Sequence, residues 1–223
     1  MMQTVFSIIS DYHEAFLSGL RVTLEICAIV WLSGLVIGLL LSLLAYKLPN
    51  PFYYFFSGIT LLLVAIPFLV LLYWFHYPFQ TLIGVNIDPF FTATFTLSLL
   101  NTFLVYQLLI GALRNLPQQF LNSAKICGLS QNQIIFKIQI PLIVRQFIPG
   151  FLTLQIFMMQ SSIFASLISV EELFRKAQQI NSVVQKPIEI YSAMAVFFII
   201  ICLPLYAISF ALRKKYSRDL SEV

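Results

Sequence analysis

Apolar residues run along the chain in five long stretches, over 22–45, 52–75, 90–113, 146–170 and 190–212, separated by shorter polar segments. Each exceeds the roughly 20 residues that a helix needs to cross a hydrocarbon core. Glu25 is the only formal charge inside them. Lipid forces every backbone N–H and C=O to find an internal partner, which leaves helices or closed barrels, and a barrel would show short alternating strands instead. The pattern predicts an all-α integral membrane protein of five transmembrane helices, organised as a single domain over 1–223.

Positive charge gives that scheme a direction. Lys47, Arg114, Lys125, Lys137 and Arg145 fall on one side, together with Arg213, Lys214, Lys215 and Arg218 of the tail. The other side holds Arg175, Lys176 and Lys186 beside Glu171, Glu172 and Glu189, with Arg21 at the mouth of the first span. Short loops rich in Lys and Arg stay cytoplasmic, so the expected topology has the N-terminus outside and the C-terminus in the cytoplasm. The first span is too long for a signal-peptide core, and Asp11 and Glu14 precede it where a signal would carry basic residues. It is expected to persist as a helix.

Composition then removes several classes of function. Of the 223 residues 60% are hydrophobic and 10% charged, a balance that a soluble fold could not bury. The net charge of +4 is mostly the topology signal, and no basic–aromatic patch points to a nucleic acid. The cysteines, Cys27, Cys127 and Cys202, are far apart and the only histidines are His13 and His76, so neither a disulfide framework nor a metal-ligand spacing is present. HExxH, GxSxG and Walker-type glycine loops are missing as well. No catalytic residue, metal or cofactor bound by this chain is expected.

The largest segment on the basic side, 114–145, has its own pattern. Residues 122–127 read as a helix that Gly128 ends in a left-handed conformation, and Ser130 with Gln133 makes a capping box for a second one. Ile134, Ile135 and Ile138 line one side of that second helix, while Gln131, Lys137 and Gln139 are placed toward water. Pro141 and Pro149 are expected to mark the start of the fourth span. Two readings are open from the pattern alone: a helix resting among membrane lipid headgroups, or a docking helix for a soluble partner.

The order Ala124, Gly128-Leu129-Ser130, Ile138 and Ile140-Pro141 resembles the EAA loop, the Glu-Ala-Ala…Gly…Leu-Pro signature of membrane subunits of ABC importers. The likeness covers about 19–215. Gly19, Thr23, Leu24, Gly34 and Gly38 are similar to the first helix of the polar amino acid permeases, the histidine/glutamine/arginine type. GALRNLP at 111–117, SLISVEELFRKAQQINS at 166–182 and PIEIY at 187–191 are similar to segments of the same family in the same order. The resemblance implies a type I importer permease in a bacterial inner membrane, with a coupling helix at about 122–138 that seats in an ATPase subunit. It assigns Asn122, Ser123, Ala124, Gly128, Leu129, Ser130 and Pro141 to that contact. The implied partners are an ABC ATPase dimer, which would bind ATP and magnesium, a second permease subunit, identical or related, and an extracytoplasmic solute-binding protein.

The departures from the family are concentrated where it is usually polar. Asn122 and Ser123 stand in place of its Glu-Ala, and Val64-Ala65-Ile66-Pro67 in place of Arg-Gly-Thr-Pro. Gln107-Leu108-Leu109-Ile110-Gly111 replaces Glu-Ile-Phe-Arg-Gly, and Met159-Gln160-Ser161-Ser162 replaces Lys-Asp-Thr-Ser. Charges within a membrane face a pathway or a partner, so their loss implies either a less polar solute or an unequal pair whose other half supplies the charge. A scaffold subunit without a working site is the rival reading. The polar groups left at depth are Asn101, Gln107, Gln155, Gln160, Ser161 and Ser162, each open to a role as interhelical glue. Gln107, Gln160, Ser161, Ser162 and Glu25 are the pathway candidates. Arg21 and Glu25, four residues apart, are spaced to pair on one helix face.

Overall fold

The computed structural model describes the backbone of residues 2–221 and the side chains of residues 5–216, so the side chain of Arg218 lies outside the described residues. Among them the chain is helical throughout, with no strand. A short α1 (Met2–Asp11) turns into α2 (His13–Lys47), which stops where Leu48, preceding Pro49, is pushed into an extended conformation. The second apolar stretch, expected as one span over 52–75, is divided into α3 (Asn50–Ala65) and α4 (Phe68–His76), and a short α5 (Pro78–Ile83) follows. The α4–α5 leg makes an angle of 94° with α3. Pro67 is the cause: it has no N–H to donate and forces Ile66 to φ −86°, ψ 125°. Hydropathy does not register that backbone constraint.

α6 (Pro89–Arg114) starts on Asp88, whose carboxylate accepts from the Phe90 N–H at 2.8 Å, and runs back beside α2. The two pack through a small-residue stripe on α2. A Cβ on Gly34 would lie 2.2 Å from the Asn101 amide nitrogen, and one on Gly38 would lie 2.7 Å from Val105. Close approach lets Asn101 donate to the Val30 carbonyl at 2.8 Å and meet Gln155 at 3.2 Å, and lets Ser42 reach the Tyr106 carbonyl at 3.2 Å. In a medium without water such interhelical hydrogen bonds and tight backbone contact replace the hydrophobic effect as the adhesive.

After α6 comes a helical hairpin. α7 (Gln118–Ile126) ends on Gly128 at φ +77°, where the N–H groups of Gly128 and Leu129 bond back to Lys125 and Ala124. Ser130 then caps α8 (Gln131–Ile134) in the expected reciprocal pair with Gln133. The hairpin has its own small core of Leu121, Ala124 and Ile134, with Leu129 and Ile138 packed against it. Its second helix, expected to be short, does not stop. A π turn over Ile135–Gln139 carries it into α9 (Ile140–Ser161), and a 3-10 segment, Ser162–Ile168, extends the run. Pro141 is therefore an internal residue and marks no boundary. The wider π turn, with Ile140 bonding back to Ile135, absorbs a residue whose missing N–H would leave a gap in a regular α-helix.

α10 (Leu173–Val184) is capped by Glu172 and lies on α2, where Gly19 leaves room for it and the Thr23 hydroxyl accepts from the Leu173 N–H at 3.2 Å. α11 (Pro187–Ser221) closes the chain, its start packed with Phe16, Ile8 and Ala177. Among the described residues, four helical runs are long and apolar enough to span a membrane: α2, α6, Gln131–Ile168 and Pro187–Tyr216. The bent α3 to α5 pair is the fifth candidate.

Candidate functional site

α9 lies between α6 and α11 and exposes one stripe of its surface in the groove between them. Gln146, Thr153 and Gln160 repeat every seven residues along that stripe, two helical turns apart, and all three are exposed. Three cavities lie along the groove. One of about 440 Å³ is bounded by Arg145, Gln146, Thr153, Arg213 and Tyr216. A second, of about 420 Å³, shares Leu108 and Gly150 with it and reaches Gln107 and Gly111 on α6. A third, of about 290 Å³, lies where Gln160 faces Cys202, Leu203 and Tyr206 of α11. Gly150 matters to the shape, because a Cβ there would press Leu108 at 2.8 Å.

The groove is apolar with isolated hydrogen-bonding groups. Among the described residues, Arg145 and Arg213 are the only charged ones lining the three cavities, and both are at the end nearer the hairpin. The Arg145 guanidinium lies 5.8 Å from the Tyr216 ring centroid. In mid-groove, Thr153 and Ser209 approach to 3.0 Å, and both hydroxyls donate to the carbonyl of Pro149. No acid among the described residues lines these cavities. Among the described residues no cluster of three His, Cys, Asp or Glu is placed to hold a metal ion.

The pathway candidates named from sequence separate in space. Gln107 and Gln160 are exposed and line the groove. Ser161 and Ser162 are buried where α9 tightens into the 3-10 segment, and their hydroxyls donate to the Phe157 and Met159 carbonyls at 2.8 and 2.7 Å. Glu25 sits away from the groove on α2, held by Arg21 at 2.8 Å. Gln155 and Asn101 are buried partners of one another and tie α9 to α6. Gln146 and Thr153 escaped the sequence reading although their spacing from Gln160 is a signal that a helical wheel displays.

The hairpin candidates also divide. Asn122, Ser123, Gly128 and Ser130 are exposed at the tip, beside Ile126, which is 86% exposed. Ala124 is buried and Leu129 half-buried in the hairpin core, so they shape the tip from within. Pro141 is half-buried, more than two turns along the second helix. Phe136, 69% exposed, widens the apolar surface.

Comparison with known proteins agrees with this architecture. Residues 34–219 match the model of the family described as binding-protein-dependent transport system inner membrane component. The chain is 30% identical over 153 residues to the arginine ABC transporter permease protein ArtQ of Escherichia coli (strain K12), covering 68% of this chain and 64% of that relative, slightly under two thirds of its length. It is 29% identical over 220 residues to the glutamine transport system permease protein GlnP of the same organism, 96% of each. The L-cystine transport system permease protein TcyB of Bacillus subtilis (strain 168) is 24% identical over 201 residues, 90% of this chain and 86% of the relative. Among solved structures, an amino acid ABC transporter crystallised with histidines superposes with a TM-score of 0.82 at 21% identity, over 94% of this chain and 98% of its own. The MetNI methionine ABC transporter in an inward-facing form gives 0.70 at 19%, over 93% and 97%. These likenesses establish the type I ABC permease fold in a multi-pass membrane protein. The chain belongs to the family of inner membrane components of binding-protein-dependent transport systems.

Proposed function

We propose that this chain is the permease subunit of an ATP-driven importer and forms half of the path for an amino acid or a similar small polar solute. The observation that carries this is one helical run. The element that begins at the exposed hairpin tip, at Gln131, is the same one that presents Gln146, Thr153 and Gln160 to the groove. A displacement of the tip is carried to the groove floor along continuous helix, which is what a two-state transporter driven from outside the membrane requires.

In this reading the hairpin is cytoplasmic, the N-terminus is outside, and five spans cross the membrane, the second of them ending at the Pro67 bend. The tip, 122–130, docks in a groove of an ABC ATPase dimer. ATP and magnesium bind there, not here, so this chain transmits force and lines the path. An extracytoplasmic solute-binding protein delivers the solute, and a second permease subunit supplies the other half of the path. The amides of Gln107 and Gln160 offer a neutral donor and acceptor each, suited to the uncharged polar part of a solute. The relatives' names, for arginine, glutamine and cystine, support the amino acid class.

A docked scaffold without a working path is the second reading, favoured by the absence of any acid among the described residues along the groove. Gly128 separates the two. A Cβ there meets no neighbour within 4 Å, and the positive φ costs a side chain only about 1–2 kcal/mol, too little to unfold the protein. Gly128→Arg is expected to abolish uptake of labelled amino acids while membrane abundance stays unchanged. Unaltered uptake would contradict the transport reading.

A further inference from the structure

We propose that α4, α5 and the turn to Val85 form an aromatic shelf lying in the membrane–water interface, in contact with phospholipid headgroups, at the end of the bundle opposite the α7–α8 hairpin. α3 is the reason the shelf exists. Its 16 residues rise about 24 Å, the extended residues Ile66 and Pro67 add up to about 6 Å more, and the chain, now at the far edge of a hydrocarbon core of roughly 30 Å, turns through 94°. A leg nearly perpendicular to a helix that crosses with ordinary tilt of about 20° lies within some 25° of the membrane plane.

The residues on that leg suit the interface. From Leu48 to Ile87 the chain has no Asp, Glu, Lys or Arg, so nothing draws it into water. Tyr73, Trp74 and Tyr77 are exposed on its outer side, and Leu82, 78% exposed, follows. Tyr and Trp pair an apolar ring with a polar tip, the combination that settles at headgroup level. This surface continues the exposed apolar surface of α3, where Leu61 and Leu62 are bare.

The other side of the leg is fixed to the bundle. Leu72 is fully buried among Ile26, Ala93 and Leu97, and the Phe68 ring packs 5.7 Å from that of Phe164. Gln80, 7% exposed, donates to Thr92 at 3.1 Å and accepts from the Ile87 N–H at 2.8 Å, which pins the turn onto the start of α6. A flat element fastened on one side and aromatic on the other resists tilting of the bundle it is attached to.

The test uses the full chain with its native partners in membranes. Cys127→Ser removes the exposed cysteine and leaves Cys27 and Cys202 buried. Nitroxides are placed singly by Trp74→Cys, Tyr77→Cys and Leu82→Cys, with Leu61→Cys as a deep reference, and depth is read from relaxation by oxygen against a nickel chelate. Val85, exposed and outside the helices, replaces any position whose variant is not recovered. The expected result is one shared depth for the three labels, at the headgroup boundary, with the Leu61 label deeper. A depth gradient of about 12 Å between 74 and 82, as a continuing span requires, would overturn the proposal. So would shielding from both relaxants, which means a protein partner covers the leg, or access dominated by the chelate, which means it stands in water.

Discussion

At the scale of single residues, the fold depends on a few contacts that have no slack. Gly34 is one: a methyl group there collides with the Asn101 amide, which is fully buried and holds the Val30 carbonyl and Gln155. Gly34→Ala is expected to lower stability by roughly 1–3 kcal/mol through displaced packing and a broken buried bond, seen as a lower melting temperature in detergent. Glu172 is another. Burial pushes its carboxyl up to about 7, although the N–H groups of Phe174 and Arg175 donate to it. Its neighbour Glu171 is exposed and bonds to Lys176 at 2.7 Å, so it adds less. With an unfolded value near 4.3, the folded state binds the Glu172 proton more tightly, and the docking of α10 is firmest below that value. Thermal stability should fall as pH rises from about 5 through about 7, and Glu172→Gln should flatten the profile. A flat profile in the unsubstituted protein would contradict this reading of the cap.

Elements differ in how much of them the sequence reveals. The long apolar helices are legible because a residue's cost in lipid is a property of that residue alone, and the capping box at Ser130 is legible because its bonds are local. The break at Pro67 and the continuity through Pro141 go the opposite way to what the sequence leads one to expect. A proline ends a helix only where nothing absorbs its missing donor. At Pro67 nothing does, whereas the π turn before Pro141 does. The groove is half legible: Gln107 and Gln160 stand out as polar residues in apolar spans, but which side of α9 is bare follows from packing that no local signal encodes. The same packing hides Ser161 and Ser162. The continuity itself can be tested. Inserting two glycines after Phe136 should leave ATPase binding intact and lower uptake at least tenfold, because the tip would then move without the floor. Gln160→Leu, in contrast, should leave docking and helix continuity untouched and reduce uptake alone.

At the scale of the whole molecule, one end gathers the exposed hairpin and the basic residues of α9 and α11, and the groove leads away from it between three helices. The opposite end holds α1, α10 and the bent α4–α5 leg as a layer across the bundle. In the proposed function the hairpin end is the contact for the ATPase and the groove is the path along the side. A second subunit, as proposed, would close the exposed side of that groove. The central claim, that the hairpin tip docks on an ATPase, meets its most direct test at a residue the protein already carries. Cys127 is exposed at the tip, whereas Cys27 and Cys202 are buried. A thiol-directed photocrosslinker attached to Cys127 in native membranes, followed by mass spectrometry of the adducts, reads the contact directly. The account predicts a dominant adduct with an ABC ATPase subunit. Efficient labelling of Cys127 that yields adducts only with lipid would contradict it.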